Sequence, residues 1–162
     1  MSVSQQIAKH FRELHFGGNW TYSYLKEHLA DVTFEESVTK VYDLNTIAAL
    51  VFHINYFVVS VIGVLQGGPL EGHDKYSFDH PPIRSEQDWK NMLDKLYQDA
   101  ETFAVLVEQL PDDTLWTILS EEKYGSFYRN LHGIIEHSHY HLGQIVVIKK
   151  IIRQNLSSAP VQ

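Results

Sequence analysis

Residues 46–65 read TIAALVFHINYFVVSVIGVL, twenty consecutive positions without a formal charge. A run of that length is enough to cross a bilayer as a helix. Its reading therefore separates a membrane protein from a soluble bundle with an apolar central helix. His53 and Asn55 stand in the middle, where polar groups are expensive in hydrocarbon. No Lys/Arg cluster lies immediately at either end, and no second run of the kind exists to cover them. The stretch reads as a buried helix, apolar nearly all the way round, enclosed on most sides or used in a subunit interface. Asp43 or Asn45 is its expected N-cap, and Gly67-Gly68-Pro69 stops it.

Three further segments carry a helical period. From about Ser4 to His15, Ile7, Phe11 and Leu14 recur at steps of four and three, and Gly17-Gly18 ends the run. A third helix opens at Ser85, with Asp88 three residues on in a variant of the capping box. It carries Trp89, Met92, Leu96, Phe103 and Val107 on one stripe to about Gln109, before Pro111. A fourth runs from near Ser126 to about Arg153 and buries Leu131, Ile134, Ile135, Ser138, Ile145, Ile148 and Ile152; its last turns hold Lys149, Lys150 and Arg153, where cations suit the helix dipole. Residues 19–41 show no clean stripe and read as an ordered connection, with a turn or two of helix near residues 22–30. The loop from Gln66 to Arg84 is longer than connections inside compact domains usually are, and such loops often carry function. The expected fold is all-α: a four-helix bundle with a long crossing loop, one domain over residues 1–156 and a tail over 157–162.

Composition narrows the function classes. Hydrophobic residues at 44% and charged residues at 20% place the chain among folded globular domains. A net charge of -7 without a basic stripe argues against nucleic acid as a partner. With no cysteine there is neither a disulfide framework nor a thiolate ligand, so a metal site here must use His, Asp, Glu or backbone oxygen. The first twelve residues have no apolar segment of the secretory type; a cytoplasmic location, with no membrane partner, is the expectation.

Ten histidines in 162 residues make accidental H-x-x-x-H pairs common, so the spacing of His137 and His141 is weak evidence alone. Its position strengthens it. One turn apart on a helix, both rings project from the face shared with Ile134, Ser138, Ile145 and Ile148, and both can meet one ion. His53 lies in the most apolar stretch of the chain, on the face of Thr46, Leu50 and Phe57, and must find a polar partner or lose about 1–3 kcal/mol. Imidazoles on two buried faces of a bundle point to a single metal ion held by His53, His137 and His141. The competing reading is of ordinary core histidines bonded to carbonyls, Tyr or Asn. Gln144, three residues after His141 on the same side, has two readings, a group that orients a ligand or a substrate and an ordinary solvated or interhelical hydrogen-bonding residue. Ser138 after His137 excludes an H-E-x-x-H protease, and the E-x-x-H spacing of Glu136 and His139 occurs once, whereas a di-iron carboxylate bundle needs it twice.

The run HGIIEHSHYHLGQIVVIKK over residues 132–150, with NTIAALVFHINYFV and FRELHFGGNWTYSYLKEHLADV earlier, resembles the DinB/YfiT-like family of metal-binding four-helix bundles, and within it a DinB-like branch of uncharacterised function. The H-x-x-x-H-x-G-Q segment is the most specific part. The resemblance implies a ligand set of one His on the second long helix and two on the last, matching His53, His137 and His141. It also implies a divalent ion, often zinc or nickel, an open position for water, and frequently a homodimer. Some relatives are thiol-dependent transferases or isomerases and others are assigned as metal-dependent hydrolases.

The expected function is therefore metal-dependent catalysis on a small molecule, hydrolytic or by transfer to a low-molecular-weight thiol, with His10, Tyr56 and Gln144 as candidate substrate contacts and no residue standing out as general base. The alternative is a non-catalytic, metal-stabilised dimeric bundle with a structural or sensing role.

Overall fold

The computed structural model describes residues 1–157. In chain order the helices are α1 (Val3–Phe16), α2 (Leu25–Leu29), α3 (Phe34–Val38), α4 (Ile47–Leu65), α5 (Glu86–Glu108) and α6 (Phe127–Ser157). No strand is present among the described residues; a single bridge pairs Ile118 with Ser126. Four long helices and a long connection between α4 and α5 make the expected all-α bundle. Apart from Ser157, which closes α6, the expected tail lies outside the described residues.

Local chemistry sets the helix starts. Ser2 and Gln5 form a reciprocal capping box on α1. Ser85 Oγ accepts from the Asp88 amide at the head of α5, as the spacing predicts. Two details differ from expectation. The N-cap of α4 is Thr46, whose Oγ1 accepts from the Ala49 amide, because Asp43 is taken up in a turn closed by the Leu44 amide on the Val41 carbonyl. Residues 19–41 also hold α3 besides the expected turn of helix at α2. A capping box at its head, Thr33 with Glu36, is the sequence signal for it.

The long helices pack in a ring: α1 lies against α5 and α6, and α4 against α5 and α6. Phe11 of α1 meets Phe103 of α5 at 4.3 Å, and both are fully buried. Each such side chain contributes roughly 1.5–3 kcal/mol through its removal from water. Among the described residues α4 is the helix long and apolar enough to cross a membrane, but eleven of its nineteen residues are buried against its neighbours. That packing accounts for its composition.

The α2–α3 segment is clamped from both sides. Trp89 Nε1 donates to the Val32 carbonyl at 2.8 Å. From α6, Arg153 donates to both carboxylate oxygens of Glu36 and to Asp31, and Lys149 reaches Asp31 and the His28 carbonyl. Hydrogen bonds from Lys149 and Arg153 hold the Asp31 carboxyl down to about 2.

The α4–α5 connection folds back over α4. Tyr56 Oη accepts from the His73 amide at 2.9 Å and donates to the His73 carbonyl at 3.2 Å, while Ser60 Oγ lies 3.4 Å from the Glu71 carbonyl. Gly72 sits so close that a Cβ there would meet Ser60 Oγ at 3.0 Å, which is why this position takes no side chain. The same connection carries a turn of 3₁₀ helix, Asp74–Tyr76, followed by buried Ser77.

Candidate metal centre

His53 projects from α4 toward α6, where His137 and His141 stand one turn apart. His137 Nε2 lies 3.0 Å from His53 Nε2 and 3.1 Å from His141 Nε2, so the three rings gather on one point, as the sequence predicts. His53 and His141 are buried and His137 is half-buried.

Hydrogen bonds at the far side of each outer ring fix its tautomer. Ser77 Oγ spends its single proton on the Asp74 carbonyl at 2.7 Å, so at 2.9 Å from His53 Nδ1 it accepts. His53 therefore carries its proton on Nδ1 and presents a lone pair at Nε2. On the other side, Gln144 Nε2 donates to Tyr140 Oη at 3.2 Å, which turns Gln144 Oε1 toward His141 Nδ1 at 2.6 Å. His141 in turn presents its Nε2 lone pair. Metal-bound histidines depend on this kind of outer partner for orientation and basicity.

Electrostatics agree with the geometry. Burial is the largest influence on all three rings and pushes each below the ordinary histidine range. His137, flanked by His141 and His53, goes down to about 4. All three imidazoles are neutral at pH 7 and available as donors to a cation.

This arrangement tests whether a metal fits. With lone pairs fixed on His53 Nε2 and His141 Nε2, the one proton on His137 can satisfy only one of them, and the other faces nitrogen without a donor. A divalent cation answers all three nitrogens together, and His53, His137 and His141 are the residues that would hold it.

Aromatic rings shield the cluster. Phe78, from the α4–α5 connection, stacks flat on His53 at 3.9 Å between centroids, and Phe57 presents its edge to His53 and His137, each at 5.1 Å. Beside them a cavity of about 540 Å³ opens, lined by His53, His137, Phe57, Asp74, Arg129 and Ile134 among others. Asp74 is the one carboxylate among its lining residues, and its charge bears on His53 and His137.

The other sequence candidates are placed differently. Gln144 joins the cluster as the partner of His141. Tyr56 holds the His73 peptide and lines a separate groove with Phe52, Pro82 and Met92. His10 stands exposed beside His139, 6.1 Å between ring centroids, and not among the cavity's lining residues. His132 packs on Tyr128 at 4.4 Å, and Glu136 is exposed, which leaves the lone E-x-x-H outside the cluster. Asp74, Ser77 and Phe78 are the site residues that sequence reasoning did not single out. Their signal was only the unusual length of the loop that bears them.

Residues 17–145 match the family model of the DinB superfamily. None of the curated proteins and none of the solved structures compared with the chain matches it.

Proposed function

The chain belongs to the DinB superfamily, and from that premise together with the geometry of its imidazole cluster we propose that it is a metal-dependent enzyme acting on a small molecule. The observation that carries this reading is the convergence of three neutral imidazole nitrogens beside an open cavity. Three protein ligands are one short of a closed structural tetrahedron. Zinc or nickel suits an all-imidazole donor set. A divalent ion bound there lowers the pKa of a water or thiol that joins it, and so supplies a nucleophile at neutral pH.

The chain's own residues do the rest. Ser77 and Gln144 keep protons off the Nε2 atoms of His53 and His141. Phe57 and Phe78 exclude bulk water from two sides. Asp74, the one carboxylate lining the cavity beside His53 and His137, is the group proposed to accept a proton, a role for which the sequence offered no candidate. Hydrolysis and transfer to a low-molecular-weight thiol both use such a site.

A homodimer belongs to the proposal. Leu44, Tyr140 and Val147 border one surface groove and are 44%, 64% and 54% exposed, an apolar area that a second copy would cover. The same surface supports the second reading, a non-catalytic dimer stabilised by its ion.

Elemental analysis of the purified protein, a thermal melt with and without chelator, and turnover assays on ester and thiol substrates separate the readings. The enzyme reading expects one divalent ion per chain and metal-dependent turnover. A large chelator-induced loss of Tm with no turnover establishes the structural reading instead, and absence of metal removes both.

A further inference from the structure

The cavity beside His53 and His137 has a second end. Arg129 lies on the same side of α6 as Gly133 and His137, at successive steps of four, and the three residues line the cavity together. Eight residues at 1.5 Å each put Arg129 about 12 Å along the helix from His137. Apolar side chains, Phe57, Val61, Leu119 and Ile134 among them, make up much of the remaining lining, beside the polar Ser60 and Asn130.

Arg129 is unusual in three respects. It stands in the first turn of α6, which has no acidic residue, so its charge adds to the positive end of the helix dipole. Its side chain is exposed and lies over Gly125, where a Cβ would meet Nη1 at 3.3 Å, and Nη1 donates to the Tyr124 carbonyl at 3.2 Å. It has no ion-pair partner among the described residues, whereas Lys123, the other cation lining the cavity, is paired with Glu121 at 3.1 Å. A guanidinium without an ion-pair partner, on the wall of a cavity and at a helix N-terminus, has the charge and donors to receive an anion.

Gly133 supplies an independent observation. Glycine inside a helix costs stability relative to alanine, and nothing lies within 4 Å of where its Cβ would be. Packing therefore does not require glycine there. Its absent side chain leaves the floor of the cavity open midway between Arg129 and His137.

We propose that this cavity selects a substrate bearing one carboxylate at the end of an apolar body, with Arg129 as the anchoring cation and the reacting end delivered to the imidazole cluster. The proposal rests on the enzyme reading above and adds to it a substrate class. A single unpaired guanidinium balances one negative charge, which favours a carboxylate over a phosphate dianion.

Octanoate, octanamide and octyl phosphate, titrated calorimetrically into the full-length protein, test it. The protein is used both metal-loaded and stripped by chelator, since in the stripped form no ion competes for the carboxylate. Octanoate is expected to bind stripped protein about tenfold or more tightly than octanamide, the difference made by one charge-assisted pair. Arg129→Gln should bring octanoate to the level of octanamide while leaving metal uptake and the thermal melt unchanged. Gly133→Leu should weaken both. Equal binding of acid and amide, no binding of either at roughly millimolar concentration, tighter binding of octyl phosphate, or a preference that survives in Arg129→Gln would each overturn the proposal. Failure of the metal reading is seen separately, as absence of metal uptake with the octanoate preference intact in stripped protein.

Discussion

Replacing Ser77 by Ala should weaken metal binding without unfolding the protein. Ser77 Oγ is fully buried and is the acceptor for His53 Nδ1 at 2.9 Å. Once it is gone, His53 has two choices. It keeps its proton on Nδ1, where burial leaves the N–H without a partner at about 1–3 kcal/mol. Alternatively it moves the proton to Nε2 and loses the lone pair that faces the cluster. The metal-free protein has an easy escape by the second route, because a proton on His53 Nε2 can be donated across 3.0 Å to His137 Nε2. The metal-bound protein has none. The loss therefore falls on the bound state, and the expected drop in affinity is about 10–100-fold, or about 1.4–2.7 kcal/mol. Stripped protein should lose only about 1 kcal/mol, from the bond between Ser77 and the Asp74 carbonyl. Competition with a chromogenic chelator measures the affinity, and denaturant unfolding of the stripped protein measures the remainder. Unchanged affinity beside a reduced stability would refute the tautomer reasoning and leave Ser77 as a prop for the loop.

Three other outcomes are expected. His137→Ala, which removes the ring that touches both others, should abolish stoichiometric metal while circular dichroism still shows a helical protein; full occupancy in that variant would count against the site. His15 is fully buried with its Nε2 unpartnered, and desolvation lowers it from the usual 6.5 to about 4. Between those values the unfolded chain binds the proton and the folded chain does not, so stability present above about pH 6.5 is lost as pH falls toward 4, by up to about 3 kcal/mol. Denaturant midpoints across that range should fall with pH, and His15→Leu should flatten the slope. Arg153→Met should release the α2–α3 segment, lowering stability by about 1–2 kcal/mol and raising amide exchange in α3; the partly exposed ion pairs are discounted for screening.

The legible parts of this protein are those governed by short-range rules. The apolar stripes of α1, α5 and α6 recur at helical spacing, and Ser85 with Asp88 marks a helix start three residues apart. His137 and His141 need only one turn of helix to share a face. Local rules also failed in an instructive way at Thr46, since Asp43 is an equally good cap by composition and loses because a turn at Val41–Leu44 engages it first. The helix α3 is marked in the sequence by Thr33 and Glu36 alone, because five residues are too few to show a period.

The substrate contacts show the other limit. Tyr56 and His10 carry suitable groups, yet one is spent on holding the His73 peptide and the other stands exposed beside His139, not among the residues lining the cavity. Asp74, Ser77 and Phe78 reach the cluster only because the connection after α4 is tied down through Tyr56 and Ser60.

Sequence by itself determined the four long helices, the inward side of each, and which imidazoles share those inward faces, because a helix fixes the direction of a side chain from its position in the chain. Tertiary structure alone decided that α4 faces α6 at the height where His53 meets His137, which nitrogen of each outer ring holds the proton, and that Arg129 and Asp74 open on the same cavity. Those facts depend on contacts between residues far apart in the chain, and no periodicity within either segment encodes the distance between them.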